Sequence, residues 1–235
     1  MIVSVHQPQY LPWSGYFHKI ASSDLFVFLD RVQYKEREFQ NRNKIRTADG
    51  WMWLTVPVIS SGQGRQGISE VRIDNSVNWT HEHWESLKVW YGKAEYFSEH
   101  APFFEEVYRK KWDWLVDINL VFIRYCLNYL TIDTPITFES ALKTEKNKTE
   151  RIIEICQEVH ADTYLSGTGG KEYLEEEKFP QANIKLMYQD FKHPVYRQQF
   201  MKGQEDFLPY MSVIDLMFNA GPASAKIIKH GGSSQ

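Results

Sequence analysis

The first 30 residues contain two short apolar runs, separated by a turn and an amphipathic segment. Residues 2–5 and 25–29 are short and almost wholly apolar, which predicts strands buried on both faces of a sheet. Residues 15–22 have the spacing of apolar side chains that is typical of a helix. Strand, helix and strand in this order predict a βαβ unit, whose first turn, residues 6–13, lies at the carboxyl edge of the sheet.

The middle of the chain changes to a helical pattern. Residues 78–130 carry apolar and aromatic side chains at helical spacing, which predicts a helical insertion. Before it, residues 51–58 and 68–73 have strand-like patterns on either side of a loop, residues 60–67, that contains three glycines. We expect this part of the chain to form a β-hairpin-like flap.

The second half alternates strand and helix patterns again. The predicted strands are residues 135–138, 163–166 and 184–188, and the predicted helices are residues 147–160, 171–177 and 209–218. Asn147 and Glu150 have the spacing of a capping box for the first of these helices. The patterns together predict an α/β fold with a mostly parallel sheet and helices on both faces. We expect a single domain over residues 1–235, with room for a smaller lobe.

Composition and charge narrow the range of functions. The 235 residues are 43% apolar, and 27 basic and 30 acidic side chains give a formal net charge of −3, so no global positive field would hold DNA. No apolar run approaches the ~20 residues that span a bilayer, and no secretory signal pattern is present, which predicts a cytoplasmic protein. Cys126 and Cys156 lie among apolar residues, where thiols are small core side chains rather than disulfide partners or metal ligands.

The turn after the first predicted strand concentrates rings and imidazoles. His6, Tyr10, Trp13 and Tyr16 fall within eleven residues. A connector without a function is more often built from small polar residues, so we interpret this turn as the site. His6 is the candidate base or oxyanion-side donor because imidazole titrates near neutral pH, with a structurally hydrogen-bonded histidine as the alternative. Tyr10 and Trp13 would stack on a base or a sugar, Tyr16 would contact the substrate, and Gln7 would orient it.

A polar segment follows the second predicted strand. Residues 31–46 carry six basic side chains, and Asp30 immediately precedes them. Asp30, Gln33, Asn41 and Arg42 are candidate substrate-binding residues. The amides suit hydrogen bonding to a polar ligand, and Arg42 suits its phosphates. A solvated helix or hairpin is the alternative interpretation.

Two glycine-rich stretches are candidate anion sites. The predicted strand 163–166 runs into Ser166, Gly167, Thr168, Gly169 and Gly170 before a predicted helix, an arrangement that suits a second anionic group. The loop 60–67 is a weaker candidate because a strand rather than a helix is predicted behind it. It is either a mobile hairpin tip or a flap whose Arg65 closes over substrate.

The layout of strand, histidine-containing turn and helix resembles the nucleotidylyl transferase superfamily, in which a His-x-Gly-His signature packs against nucleotide phosphates. In this chain Trp13-Ser14-Gly15-Tyr16 takes the place of that signature, so both of its histidines are replaced. The resemblance implies a nucleotide-binding site more strongly than it implies nucleotidylyl transfer.

A longer motif resembles the signature of the WbqC-like family: His6-Gln7-Pro8-x-Tyr10-Leu11-Pro12-Trp13-x-Gly15-Tyr16-Phe17-x-Lys19-Ile20. The likeness continues through Asp30, Gln33, Asn41-Arg42, Val56-Pro57-Val58, Leu165-Ser166-Gly167, Tyr173 and the segment 212–216. The resemblance implies a role in bacterial surface polysaccharide biosynthesis, including O-antigen, and a nucleotide sugar, often an amino sugar, as the substrate.

The sequence and the resemblance lead to one functional expectation and two alternatives. The expectation is a transferase that modifies a nucleotide-activated amino sugar by acyl or aminoacyl transfer, without a metal or other cofactor. The alternatives are a nucleotidyl transferase and a non-catalytic protein that binds a nucleotide sugar or an assembly partner. The sequence does not determine the oligomeric state.

Overall fold

A computed structural model describes residues 1–60 and 64–231. Its strands are β1 (Ile2–His6), β2 (Leu25–Phe28), β3 (Arg42–Thr47), β4 (Gly50–Thr55), β5 (Ile136–Phe138), β6 (Thr163–Ser166) and β7 (Lys185–Tyr188). Its α-helices are α1 (Ser14–Ala21), α2 (Trp79–Tyr91), α3 (Phe97–Arg109), α4 (Leu115–Tyr129), α5 (Lys148–Glu158), α6 (Lys178–Gln181), α7 (Val213–Ala220) and α8 (Ala223–His230). Short 3-10 helices are found at Ile68–Glu70, Glu139–Ala141, Thr168–Glu172 and Gln204–Asp206.

Five strands form one parallel sheet in the order β5-β2-β1-β6-β7. Counted along the chain, these five strands have the order 3-2-1-4-5, which is found in doubly wound nucleotide-binding folds. The chain winds outward from β1 to β2 and β5 on one side and then builds β6 and β7 on the other. The topological switch point therefore lies between β1 and β6. The predicted fold class is confirmed.

Helices cover both faces of the sheet because successive side chains of each strand point to opposite faces. In β2, Phe26 and Phe28 pack into the larger core with α1, α4 and α7, whereas Val27 packs into a second core with residues of α5 and α6. A fully buried side chain of this size contributes about 1.5–3 kcal/mol relative to an exposed one. Because helices cover both faces of the sheet, its strands carry apolar side chains on both faces.

The helices α2, α3 and α4 lie in the segment for which a helical insertion was predicted. Their aromatic side chains interlock: Phe103 and Tyr125 stack with ring centroids 3.6 Å apart, and Phe104 and Phe122 stack at 5.5 Å. Most rings of this segment therefore belong to the core, and aromatic pairs of this kind contribute about 0.5–1.5 kcal/mol beyond their burial.

The β3–β4 hairpin is tied to the C-terminal part of the chain by a buried carboxylate. Asp215 of α7 is fully buried and accepts hydrogen bonds from Tyr91 Oη at 2.8 Å, Tyr196 Oη at 2.7 Å and Gln198 Nε2 at 2.9 Å. The Tyr91 hydroxyl in turn accepts from the backbone N–H of Arg46 in β3 at 2.8 Å. This network joins the hairpin, α2 and α7 through one acceptor.

Three local predictions were wrong. Residues 68–73 do not form a strand: the Glu70 carboxylate accepts from the Gly67 N–H at 2.9 Å and stabilises the 3-10 turn Ile68–Glu70. The predicted capping box is absent, because the Asn147 side chain accepts from Arg151 at 2.9 Å instead of capping α5. Residues 171–177 do not form an α-helix, since adjacent glycines and a run of glutamates at helical spacing oppose one. Of the predicted flap loop, residues 61–63 lie outside the described residues.

Candidate functional site

A crevice opens between β1 and β6 at the carboxyl end of the sheet. Pairing of these two strands covers Ile2 with Thr163 and Val3 with Tyr164 and then stops. In contrast, β1 pairs with β2 as far as His6, and β6 pairs with β7 as far as Ser166. The two central strands therefore separate at the switch point, which is where ligands bind in open α/β sheets.

Lys19 occupies the place that a β6 hydrogen bond would otherwise take. Successive carbonyls of a strand point to alternate neighbours, and the Ile2 and His6 carbonyls accept from residues on the β2 side. The Val5 carbonyl therefore points toward β6, and Lys19 Nζ donates to it at 3.0 Å. The lysine side chain is only 4% exposed, and it projects from α1 into the crevice.

The crevice contains a cavity of about 450 Å³, within the range of about 300–1,000 Å³ that is usual for small-molecule sites. His6, Gln7 and Lys19 line it from β1 and α1, and the turn after β6 lines it through Gly167, Gly169 and Gly170. Glu38, Glu172 and Tyr173 complete its rim. A smaller cavity of about 130 Å³ shares Gln7 and Glu38 with the first.

The tautomer of His6 follows from its neighbour. His6 Nδ1 lies 3.3 Å from the Gln7 carbonyl oxygen, which can only accept, so Nδ1 carries the proton and Nε2 carries the lone pair. The same carbonyl accepts from Tyr16 Oη at 3.0 Å, and the Tyr16 ring packs edge-on against the imidazole with centroids 5.0 Å apart. Tyr16 therefore fixes both the turn and the imidazole ring.

Burial changes the protonation of both basic groups in the cavity. Burial and, to a smaller extent, the Lys19 charge hold the pKa of His6 well below its usual range, so the imidazole is neutral at pH 7. Burial lowers the pKa of Lys19 from 10.5 to about 7, so its amine exchanges a proton close to neutral pH. Two shifted groups in one crevice are typical of a functional site.

The glycine turn after β6 packs closely against its own strand. A side chain at Gly170 would overlap the hydroxyl of buried Ser166, and the Ser166 hydroxyl donates to the Gly167 carbonyl at 3.0 Å. A Cβ at Gly167 would lie 3.9 Å from Lys19 Nζ, so the turn and the amine meet in the crevice. Thr168 begins the short 3-10 helix and is exposed, and it does not line the cavity.

Asp30 and Gln33, two of the site residues predicted around the polar segment, differ in burial. Asp30 is buried beside the end of β2, and its Oδ1 accepts from the Ser140 N–H at 3.0 Å. Gln33 is exposed and bridges Gly67 through its backbone. None of these residues lines the main cavity.

Asn41 and Arg42 lie at the start of the hairpin. Asn41 is buried, and its Nδ2 donates to the Val56 carbonyl at 2.8 Å. The Arg42 guanidinium lies 4.2 Å from the Trp53 ring centroid and donates to the Arg37 carbonyl. Neither side chain lines the main cavity. Their predicted contact with substrate and phosphate stays a prediction.

The rings of the first turn are distributed between the site and the core. Tyr10 is fully buried and bonds to His83 at 2.8 Å and to Tyr108 at 2.6 Å. Trp13 packs against a separate aromatic group formed by Phe191, His193 and Tyr210. Among the four predicted aromatic and imidazole residues of the turn, the structure brings His6 and Tyr16 together. Arg65 lines a different cavity, of about 540 Å³, beside Trp114.

The turn is held by segments that are distant in the sequence. The Tyr10 N–H donates to the Phe39 carbonyl at 3.1 Å, and Asn43 Nδ2 donates to the Leu11 carbonyl at 2.7 Å. The Val213 N–H donates to the Pro12 carbonyl at 2.8 Å. Leu11 itself has a φ of 44°, a left-handed conformation that these anchors maintain.

The predicted site residues did not include Lys19, Glu38, Glu172 or Tyr173, although Lys19 and Tyr173 belong to the family resemblance. For Lys19 a signal was present, because it lies three residues after Tyr16 and next to Ile20, on the inner face of α1. A charged side chain on the apolar face of a short helix is an unusual position that indicates a partner or a function. The two glutamates gave no such signal, since both lie in strongly charged segments.

The residues that the structure describes can be examined for metal sites, for the state of the cysteines and for membrane-spanning helices. Within residues 1–60 and 64–231, no three His, Cys, Asp or Glu side chains come together in a way that could hold a metal ion. Cys126 and Cys156 are free and buried, and burial raises the pKa of the Cys156 thiol to about 12. No helix in these ranges is long and apolar enough to cross a membrane.

The fold is that of a doubly wound α/β protein with a cavity at its switch point, lined by a neutral imidazole and a buried amine. The chain belongs to the WbqC-like protein family, whose model matches residues 7–227, and the resemblance of the first turn is thereby confirmed. It is also 32% identical over 229 residues to "Uncharacterized protein Rv1507c" of Mycobacterium tuberculosis, a match that covers 97% of both chains. No solved structure matches the chain.

Proposed function

We propose that the crevice binds a nucleotide-activated amino sugar and that the protein transfers an acyl group to the sugar amine. The observation that carries this proposal is the early end of β1–β6 pairing, which opens the switch point and lines it with His6 and Lys19. A nucleotide-linked ligand suits this position because doubly wound sheets of this strand order bind nucleotides there.

Lys19 and the glycine turn support binding of the phosphates. The amine lies beside Gly167, where backbone approach is unobstructed by a side chain. A bound phosphate would favour the protonated amine and raise the pKa of Lys19 from its value of about 7 in the free protein. Glu38 and Glu172 on the rim suit the hydroxyl groups of a sugar, and the Tyr173 ring, 65% exposed, suits stacking on the sugar or the base.

His6 Nε2 is the proton acceptor in this proposal. The sugar nitrogen attacks the carbonyl carbon of an activated acyl donor, a thioester or an ester, and a C–N bond forms. The proton of the attacking nitrogen passes to His6 Nε2 and from there to the departing thiol or alcohol as its bond to carbon breaks. The nitrogen becomes strongly acidic once the C–N bond forms, so an imidazole with a depressed pKa can accept its proton.

Binding and turnover test the proposal separately. Wild-type protein should show a raised melting temperature with nucleoside diphosphate amino sugars, because a ligand that binds only the native state stabilises it. His6→Ala should retain that stabilisation and lose acyl transfer by about 10²–10⁴-fold. His81→Ala, on the exposed face of α2, is the matched control. Absence of stabilisation by every nucleotide sugar, or full activity of His6→Ala, would contradict the proposal.

A second candidate, nucleotidylyl transfer, is favoured by the 3-2-1-4-5 strand order and by the position of His6 at the end of β1. It predicts a different product in the same assay. Release of pyrophosphate from a nucleoside triphosphate and a sugar phosphate would support it, whereas an acylated nucleotide sugar would support acyl transfer. Binding without either product would indicate a non-catalytic nucleotide-sugar protein.

A further inference from the structure

The outer face of the β3–β4 hairpin carries basic side chains beside indole rings. Residues two apart on a strand point to the same side, and the pairing of Lys44 with Trp53 brings Arg42, Lys44, Trp51 and Trp53 together. Trp51 is 45% exposed, and the other three side chains are partly exposed. The opposite side of the hairpin packs into the larger core, for example through Ile45. We call the four outer residues the cation–indole face.

The two cations of this face lie over the two rings. The Arg42 guanidinium is 4.2 Å from the ring centroid of Trp53. Lys44 Nζ is 4.3 Å from the ring centroid of Trp51 and 5.3 Å from that of Trp53. Contacts of this kind hold long basic side chains in one direction, so less conformational freedom is lost when a ligand binds to them.

The positive charges of the face are not neutralised by neighbouring carboxylates. Within residues 1–60 and 64–231, no carboxylate forms an ion pair with Arg42 or Lys44. Other surface cations, such as Lys88, Arg109 and Lys110, each pair with a glutamate on their own helix. Two fixed positive charges without an acidic partner favour an anionic ligand.

The size of the face favours a single nucleotide as that ligand. Arg42 and Lys44 are two residues apart on a strand, about 6.6–6.8 Å, so they suit two phosphate groups of one molecule. The exposed Trp51 ring suits stacking on one base. A surface for single-stranded nucleic acid follows about 4–16 nucleotides per fold, and two cations with two rings are too few for such a length.

The cation–indole face adjoins the rim of the main cavity. The Arg42 guanidinium donates to the Arg37 carbonyl, and the next residue, Glu38, lines the cavity together with His6. The α-carbons of consecutive residues are about 3.8 Å apart, so the guanidinium lies close to the backbone at this rim. A ligand that is bound on the face and has a flexible arm can therefore present the end of that arm at the rim.

We infer that the cation–indole face binds the nucleotide part of the acyl donor, so that the donor is a thioester of a nucleotide-bearing thiol such as coenzyme A. This inference rests on the proposed function. Arg42 and Lys44 bind the phosphate groups, and the Trp51 ring stacks on the base. The flexible arm of the thiol carries the thioester past Arg37 to the cavity, in which the acceptor sugar is bound. Donor and acceptor therefore occupy different parts of the protein at the same time.

Calorimetric titration with coenzyme A and with pantetheine, which lacks the nucleotide, tests the inference. Wild-type protein should bind coenzyme A at least about tenfold more tightly than pantetheine. Lys44→Met and Trp51→Leu should each weaken coenzyme A binding by about tenfold, whereas Lys44→Arg, which keeps the charge, should retain it. The matched controls are Trp114→Leu, which removes an indole of similar exposure, and Lys185→Met on β7.

Three results would overturn the inference. The first is that wild-type protein does not bind coenzyme A or binds pantetheine equally well. The second is that Lys44→Met and Trp51→Leu bind coenzyme A as tightly as the wild type does. The third is that a single-stranded oligonucleotide of about ten bases binds through these residues more tightly than coenzyme A, which would indicate a nucleic-acid surface.

Thermal-shift measurements with nucleotide sugars distinguish a failure of this inference from a failure of the proposed function. Lys44→Met should be stabilised by a nucleotide sugar as much as the wild type, because the acceptor binds in the main cavity. Stabilisation by a nucleotide sugar without coenzyme A binding would overturn the donor assignment alone. Coenzyme A binding through the cation–indole face without nucleotide-sugar binding would overturn the proposed acceptor and retain the donor site.

Discussion

Replacing Lys19 by methionine should stabilise the protein at neutral pH. Methionine preserves the length and apolar stem of the side chain and removes the buried amine. The difference between 10.5 and the lowered pKa of about 7 corresponds to a cost of about 5 kcal/mol in the folded state. Loss of the hydrogen bond to the Val5 carbonyl offsets about 1–3 kcal/mol of the gain. We expect a net increase of about 2–4 kcal/mol in the free energy of unfolding at pH 7.

The pH dependence distinguishes this cause from a simple packing change. Because the folded-state pKa of Lys19 is lowered, the unfolded chain binds more protons than the folded protein between about pH 7 and pH 10.5, so the wild type gains stability as the pH rises through this window. The Lys19 cost is fully present below about pH 7. The advantage of Lys19→Met should therefore shrink by about 3–4 kcal/mol between pH 7 and pH 10.

Urea denaturation of wild type and variant at pH 6, 7, 8, 9 and 10 measures the effect, with equal m-values as the check on two-state behaviour. Lys93→Met, at an exposed position after α2, is the matched control and should give a difference near zero at every pH. A difference between wild type and Lys19→Met that does not change with pH would refute the lowered pKa. A destabilised Lys19→Met at pH 7 would refute the cost of burial.

Three further substitutions test other parts of the structure. Gly170→Ala should cost about 1–3 kcal/mol in urea denaturation because its Cβ overlaps the Ser166 hydroxyl, and adding Ser166→Ala should recover part of the loss; an unaltered single variant would contradict the close packing. Asp215→Ala should cost about 3–5 kcal/mol by leaving its buried donors without an acceptor, and a cost below about 1 kcal/mol would contradict the network. Tyr16→Phe should cost about 1 kcal/mol in stability and lower turnover without changing nucleotide-sugar binding, which unchanged turnover would contradict.

The sequence was sufficient for the elements whose stability is local or whose apolar pattern is unambiguous. β1, α1 and β2 follow from two apolar runs and one amphipathic segment, and their order implies the carboxyl-edge position of His6. The β6 strand and α5 follow for the same reason. The wrong predictions concern segments in which side chains bond to the backbone or repel one another, as at Glu70 and the glutamates before α6, and apolar spacing does not report such effects.

The site was predicted less completely than the fold. His6, Gln7 and the glycines after β6 line one cavity, as expected for residues at the carboxyl ends of parallel strands, and their role in function stays a prediction. The burial of Lys19 depends on where β1 and β6 stop pairing, which is a property of the assembled sheet. A smaller cavity beside Gln7 and Gln9 depends on the path of residues 35–40, and no spacing in the sequence encodes that path.

The anchors of the first turn also determine when the site can form. One of the two strands that pair with β1 is β6, which follows it by about 160 residues in the sequence. The Pro12 carbonyl accepts a hydrogen bond from Val213 of α7, which is also distant in the sequence. Contacts of such long sequence separation form slowly, because a long loop must close first. During synthesis, the segment that emerges earliest would therefore be among the last to acquire its native conformation. A chain that ends before α7 would contain the whole motif of residues 6–20. It would still lack the hydrogen bond from Val213 to the Pro12 carbonyl that helps to hold the turn.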